Sequence, residues 1–159
     1  MICPSDYLES VISKRFDGQK FFFTSLGNTF TIDHSELKQI AALVKENYLD
    51  EITLILSEDN SFILDALNGQ SCFGINGLSK AYSRLNKHKR QAVSSINLDY
   101  QHAVILSYHL NEKINELKYG LYSHLKYLPL INGKLFSKPS NSFKQIYPEL
   151  VCINSINLN

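Results

Sequence analysis

Four side chains that could hold a metal or move a proton fall near two predicted strand ends: Cys3, Asp6, Glu58 and Asp59. Together they offer one sulfur and several oxygens. Mixed oxygen sites suit hard cations, which ask for more carboxylates and carbonyls than this. The neutral hydroxyls of Ser57 and Ser61 are poor zinc ligands. Residues 57–61 read Ser-Glu-Asp-Asn-Ser, and acidic residues suit a helix N-terminus on dipole grounds alone. A solvated turn capping a helix is therefore the simpler reading of this segment, and a rearranged metal site is the alternative.

Other chemistries lack their patterns. The histidines His34, His88, His102, His109 and His124 make no HxH or HExxH motif. His109 lies near a predicted strand end and could enter a pocket, though a packed histidine is the default. No G-x-S-x-G elbow, Walker A loop or GxGxxG is present. Cys3, Cys72 and Cys152 are an odd, widely spaced set with no CxxC, so no disulfide framework is implied. Lys80, Arg84, Lys87, Lys89 and Arg90 form the one basic cluster, with Tyr82 among them. It could contact phosphates, but a basic helix end explains it. The formal net charge is only +1, so nucleic acid is an unlikely partner.

The elements that must position these residues alternate. Ser5 or Asp6 is expected to cap a helix reaching about Phe16. Lys20 to Thr24 reads as a buried aromatic strand. Asp33 and Glu36 form an acidic capping-box analogue ahead of Leu37, Ile40, Ala41, Val44 and Tyr48 at helical spacing. Ile52 to Leu56 is a continuous apolar run, as in a strand covered on both faces. Ser61 to Asn68 is a further helix, with Gly69 at its C-cap. Residues 70 to 80 read as loop and Lys80 to Ala92 as helix. Gln101 to Tyr108 reads as a strand, and Asn111 starts the next helix. Asn132-Gly133 signals a hairpin, and Tyr147 to Ile153 a final strand. Residues 154–159 read as a flexible tail behind one domain spanning 1–153. The expected class is α/β, with a mainly parallel central sheet flanked by helices. The longest apolar runs are too short to span a bilayer, and Asp6 and Glu9 interrupt any early leader. The expected location is cytoplasmic.

Several of these pieces stand in the order of a known family. Ile2-Cys3-Pro4-Ser5-Asp6-Tyr7 resembles a strand ending in Cys-x-Asp-Ser-Arg. Asp17-Gly18-Gln19-Lys20-Phe21 leading to Thr24-Ser25-Leu26-Gly27-Asn28 resembles Gly-Asp-x-Phe leading to Arg-Asn-Ala-Gly-Asn. Glu51 to Leu67 follows as strand, turn and helix, and Asn111 to Leu117 and Asn132 to Leu135 resemble late segments. This pattern resembles the β-class carbonic anhydrases over nearly the whole chain.

That family holds zinc with two thiolates and an imidazole, and the metal makes hydroxide available to carbon dioxide near neutral pH. Carried over residue by residue, the resemblance is a record of losses. Cys3 matches the first ligand. The His position falls on Glu58 and the second Cys position on Ser61. Asp6 matches the motif Asp with one residue of slippage. Its Arg partner is missing, the nearest being Arg15, and the Arg of the second motif is Thr24. The resemblance therefore implies the family's core without its zinc ligands, no catalytic or metal-ligating residue, and no cofactor unless zinc enters a rearranged site. It implies a non-catalytic role in binding a small polar or anionic ligand or a protein. The cleft lining is assigned to Cys3, Asp6, Gly27, Asn28, Glu58 and Ser61. The family's N-terminal helices, which help build a dimer, are missing, so a homodimer is left open.

Overall fold

The apolar run at Ile52 to Leu56 does form the strand around which the chain is built. A computed structural model describes residues 1–30, 33–69, 78–93 and 101–150. Strand β1 (Glu51–Ser57) pairs in parallel with β2 (Leu130–Ser137), which pairs antiparallel with β3 (Ser142–Gln145). The sheet is therefore mixed. On the free side of β1, Ile2 makes single parallel bridges to Ile55 and to Thr24. β1 alternates as its pleat requires. Leu54 and Leu56 enter the main core, whereas Ile55 joins Ile2, Leu8, Ile12 and Phe136 on the opposite face.

Helix α1 (Glu9–Arg15) covers the smaller face through Leu8 and Ile12. Helices α2 (His34–Glu46), α3 (Ser61–Leu67), α4 (Leu78–Val93) and α5 (Gln101–Tyr122) supply the main core. The capping box of α2 forms as read. Asp33 Oδ1 accepts from the Glu36 amide at 2.8 Å, and Glu36 Oε2 accepts from the Asp33 amide at 3.2 Å.

Several local readings are corrected. Asp6 does not cap a helix, because Pro4–Asp6 is a 3₁₀ turn closed by Tyr7 in the left-handed region at φ 54°. Its carboxylate turns inward instead. Lys20 to Thr24 is no buried strand beyond the bridge at Thr24, and Phe21 and Phe22 are exposed. Gln101 to Tyr108 is the first half of α5. Val104, Ile105 and Leu106 are buried together there, so that half shows no polar face and its apolar run imitates a strand. Asn132-Gly133 lies inside β2, and the chain reverses at 138–141, where Asn141 takes φ 46°. Gly133 packs closely there, since a Cβ would lie 2.6 Å from Ile146 Cδ1 and would make that side chain shift.

Asn111 does not start a helix either. It sits within α5 and its Nδ2 donates to the carbonyls of Tyr147 and Leu150. Residues 147–150 are turn rather than strand. Cys72, Cys152, most of the loop at 70–80 and the tail at 154–159 lie outside the described residues.

The cap at α2 gives a direct test of local stability. Asp33→Ala should lower unfolding free energy by about 1 kcal/mol, read as a shift in urea midpoint at unchanged m-value. An unchanged midpoint would mean that the box contributes nothing.

Candidate functional site

β1 delivers its C-terminus to a turn whose polar groups are already committed. Asn60 is the N-cap of α3, and its Oδ1 accepts from the Ile63 amide at 3.0 Å. Its Nδ2 donates to Asp6 Oδ1 at 2.7 Å, and the Ser57 amide donates to Asp6 Oδ2 at 2.8 Å. Asp6, Ser57 and Asn60 are all buried. Burial pushes the Asp6 carboxyl above its ordinary value, opposed by these two donors.

Beside this clamp lies the loop 26–28. Cys3 Sγ accepts from the Gly27 amide at 3.0 Å and stands 3.0 Å from Ser5 Oγ. The Gly27 carbonyl accepts from His109 Nε2 at 2.7 Å, and Asn28 Nδ2 donates to the Ile55 carbonyl at 2.9 Å. The hydrogen bond to a carbonyl sets the tautomer of His109, with the proton on Nε2. Gly27 and Asn28 both take left-handed φ, 56° and 52°. A Cβ on Gly27 would stand 2.5 Å from the Phe62 ring and 3.2 Å from Ile63 Cδ1. Phe62 and Ile63 thus fill the space in front of the loop.

The structure brings Cys3, Asp6, Gly27 and Asn28 together and keeps Glu58 and Ser61 apart from them. Glu58 pairs with Lys144 at 3.1 Å, and Asp59 pairs with Lys138 at 2.9 Å. Ser61 is exposed at the start of α3. The inward positions of the turn are Ser57 and Asn60, one residue earlier but with the same three-residue spacing. The sequence reading missed them. Asn60 carried one usable signal, being a strong N-cap residue type just ahead of a helix.

His109 is the other contributor, and it arrives from a helix rather than from a strand end. It is fully buried, and desolvation holds its imidazole down to about 4. His88 stands nearby, with ring centroids 6.3 Å apart, and its Nε2 meets Glu112 Oε2 at 3.0 Å. That bond, together with the charges of His88, Arg84 and Lys113, holds the Glu112 carboxyl down to about 2. Two residues of the basic segment are engaged at the edge of this cluster and on α3. Arg84 Nη1 pairs with Glu116 Oε1 at 3.0 Å, and Lys89 Nζ donates to the Leu67 carbonyl at 2.7 Å.

The donor set does not fit zinc. Tetrahedral zinc sites of this kind use thiolate, imidazole and carboxylate ligands. Here Cys3 carries the one thiol among the described residues and accepts from an amide, and Asn60 is engaged at both ends. The Ser57 hydroxyl donates to Asp59. Among the described residues no group of three His, Cys, Asp or Glu side chains could hold a metal ion. Among them, too, no helix is long and apolar enough to cross a membrane.

No protein-family model matches the chain, and no curated protein matches it. Solved structures do. A mutant form of the β-carbonic anhydrase CafD of Aspergillus fumigatus, with alanine in place of one cysteine, superimposes with a TM-score of 0.68 at 16% identity, covering 91% of this chain and 85% of that one. The β-carbonic anhydrase CafA of the same fungus gives 0.65 at 15% identity, covering 94% and 74%. The chain is therefore a mixed α/β protein with a β-carbonic-anhydrase-like fold. The likeness in sequence order noted above extends to three dimensions.

The loop and its histidine can each be tested. Gly27→Ala must hold a Cβ against the Phe62 ring at positive φ, so it should destabilise by at least about 2 kcal/mol in urea melts. A neutral effect would show that the loop can move away. His109 binds its proton less readily in the fold than at its ordinary 6.5. Its contribution is complete above pH 6.5 and is lost as pH falls towards 4, at up to about 1 kcal/mol per pH unit. His109→Gln keeps a donor for the Gly27 carbonyl and should flatten this slope. An identical slope in the variant would assign the acid sensitivity elsewhere.

Proposed function

We propose that this chain is a carbonic anhydrase-like protein whose zinc site has been replaced by a structural hydrogen-bond cluster, and that its role is non-catalytic: binding a small ligand or a protein. The observation that carries the reading is the Asp6–Ser57–Asn60 clamp. It stands where the resemblance puts the ligand turn, and the Asp6 carboxyl accepts from the Asn60 side chain and the Ser57 amide. Cys3, the one residue matching a ligand of that family, is buried and bonded to the Gly27 amide, and Phe62 and Ile63 pack against Gly27. In this reading Cys3, Asp6, Gly27 and Asn28 are the remnant of a cleft, filled by the protein's own side chains. The protein acts in the cytoplasm and needs no metal.

The test is metal content and carbon dioxide hydration of protein purified without a metal-affinity tag from zinc-replete cells. The expected result is far less than one zinc per chain and no acceleration above buffer. About one zinc per chain, lost in Cys3→Ser, would overturn the proposal and favour a lyase with a rearranged metal site.

A further inference from the structure

A cavity with an apolar wall lies away from the clamp, at the opposite end of β1. Among the described residues, Ile2 alone bridges β1 to the segment ending at Thr24. Beyond it, towards the start of β1, Glu51–Thr53 and Phe21–Phe23 face one another across a cavity of about 260 Å³. Its walls include Phe16, Phe21, Phe23, Val44 and Ile52. Phe21 and Phe22 are 37% and 40% exposed at its rim. The gap is part of the fold, because the 20–24 segment pairs only at Thr24.

The polar groups of this wall are Asp17, Gln19, Lys20, Glu51, Thr53 and Lys134, with the Met1 amine donating to the Thr53 carbonyl at 2.7 Å, and they are unequally matched. Glu51 Oε1 accepts from Thr53 Oγ1 at 2.6 Å and from Asn132 Nδ2 at 3.0 Å, so that oxygen is well supplied. Lys134 is not. Its side chain is 18% exposed, and Nζ stands 3.8 Å from Glu51 Oε1 and 4.8 Å from the Phe16 ring centroid. No acceptor among the described residues comes within hydrogen-bonding distance of it. An ammonium has three donors to place, and both of its neighbours line the cavity. The site thus combines apolar walls with a mostly buried cation short of acceptors. That combination suits an apolar body with an anionic oxygen at one end.

We propose that this cavity binds a small amphipathic carboxylate, its aromatic or aliphatic body between Phe16, Phe21 and Ile52 and its carboxylate on Lys134. The proposal deepens the ligand-binding reading above but places the ligand outside the old cleft, and zinc content plays no part in its test.

The experiment is calorimetric titration of the full chain with 3-phenylpropionate and its neutral analogue 3-phenylpropanol, with methyl NMR shifts at Val44 and Ile52. The acid should bind about tenfold more tightly than the alcohol, the worth of one charge-assisted contact. Lys134→Met keeps the stem over Phe16 and should bring the acid down to the alcohol's affinity while leaving the alcohol unchanged. Ile52→Phe should abolish both by filling the space; if it fails to fold, the Lys134→Met comparison still decides. Absence of saturable binding at millimolar probe, equal affinities for acid and alcohol, or binding untouched by a folded Ile52→Phe would each overturn the proposal. So would a chain that sediments as a dimer and takes up probe only after Phe22→Ser dissociates it, since a second copy would then be the occupant.

Discussion

A buried carboxylate at the end of the first strand organises this protein. Asp6 reaches across from the N-terminal segment and accepts from the Ser57 amide and the Asn60 side chain. Leaving either donor unpaired in the interior would cost about 1–3 kcal/mol. Those bonds tie three things into one unit: the turn at Pro4–Asp6, the end of β1 and the cap of α3. Neighbouring Cys3, held by the same turn, then receives the Gly27 amide, and the loop 26–28 is located in its turn. His109 and Asn28 fasten that loop to α5 and β1.

This arrangement shows how a metal-type turn can be re-used as ordinary structure. A ligand turn projects lone pairs at a common point, and those lone pairs need a cation or hydrogen-bond donors. Here donors and acceptors alternate around the turn, so each satisfies the next. Phe62 and Ile63 then close over the loop, where a side chain on Gly27 would collide. In the interior behind it the ammonium is paired: Lys113 Nζ meets the Phe30 carbonyl at 3.0 Å and Glu116 at 2.6 Å, while His88 Nδ1 and His109 Nδ1 have no partner among the described residues. Buried charges of this kind are tolerated when each is paired and hydrogen-bonded.

The contrast with the cavity beside Lys134 is chemical. At the clamp, every donor named above has an acceptor at 2.7 to 3.0 Å. Beside β1, the ammonium's nearest carboxylate oxygen is at 3.8 Å and the walls are aromatic. A satisfied cluster stabilises a fold, whereas an ammonium held only by a long ion pair beside apolar walls can take a ligand without breaking a hydrogen bond first.

Local signals in the chain were sufficient wherever one element decides its own form. The capping box at Asp33 and Glu36, the strand at Ile52 to Leu56 and the helix after Asn60 follow from spacing and residue type. The order of partial motifs was enough to place the fold beside the β-carbonic anhydrases. Gathering Cys3, Asp6, Gly27 and Asn28 also followed from that order, because the ends of adjacent strands must meet. Facing did not. Glu58 against Ser57, and Ser61 against Asn60, differ by one residue, and a turn has no periodicity to tell inward from outward. Nor was Val104 to Leu106 legible as helix, since a segment buried all round loses the polar face that marks its period. The bond from His109 to Gly27 joins residues 82 apart in sequence. Only packing α5 across the sheet brings that imidazole to that carbonyl, and no local preference encodes it.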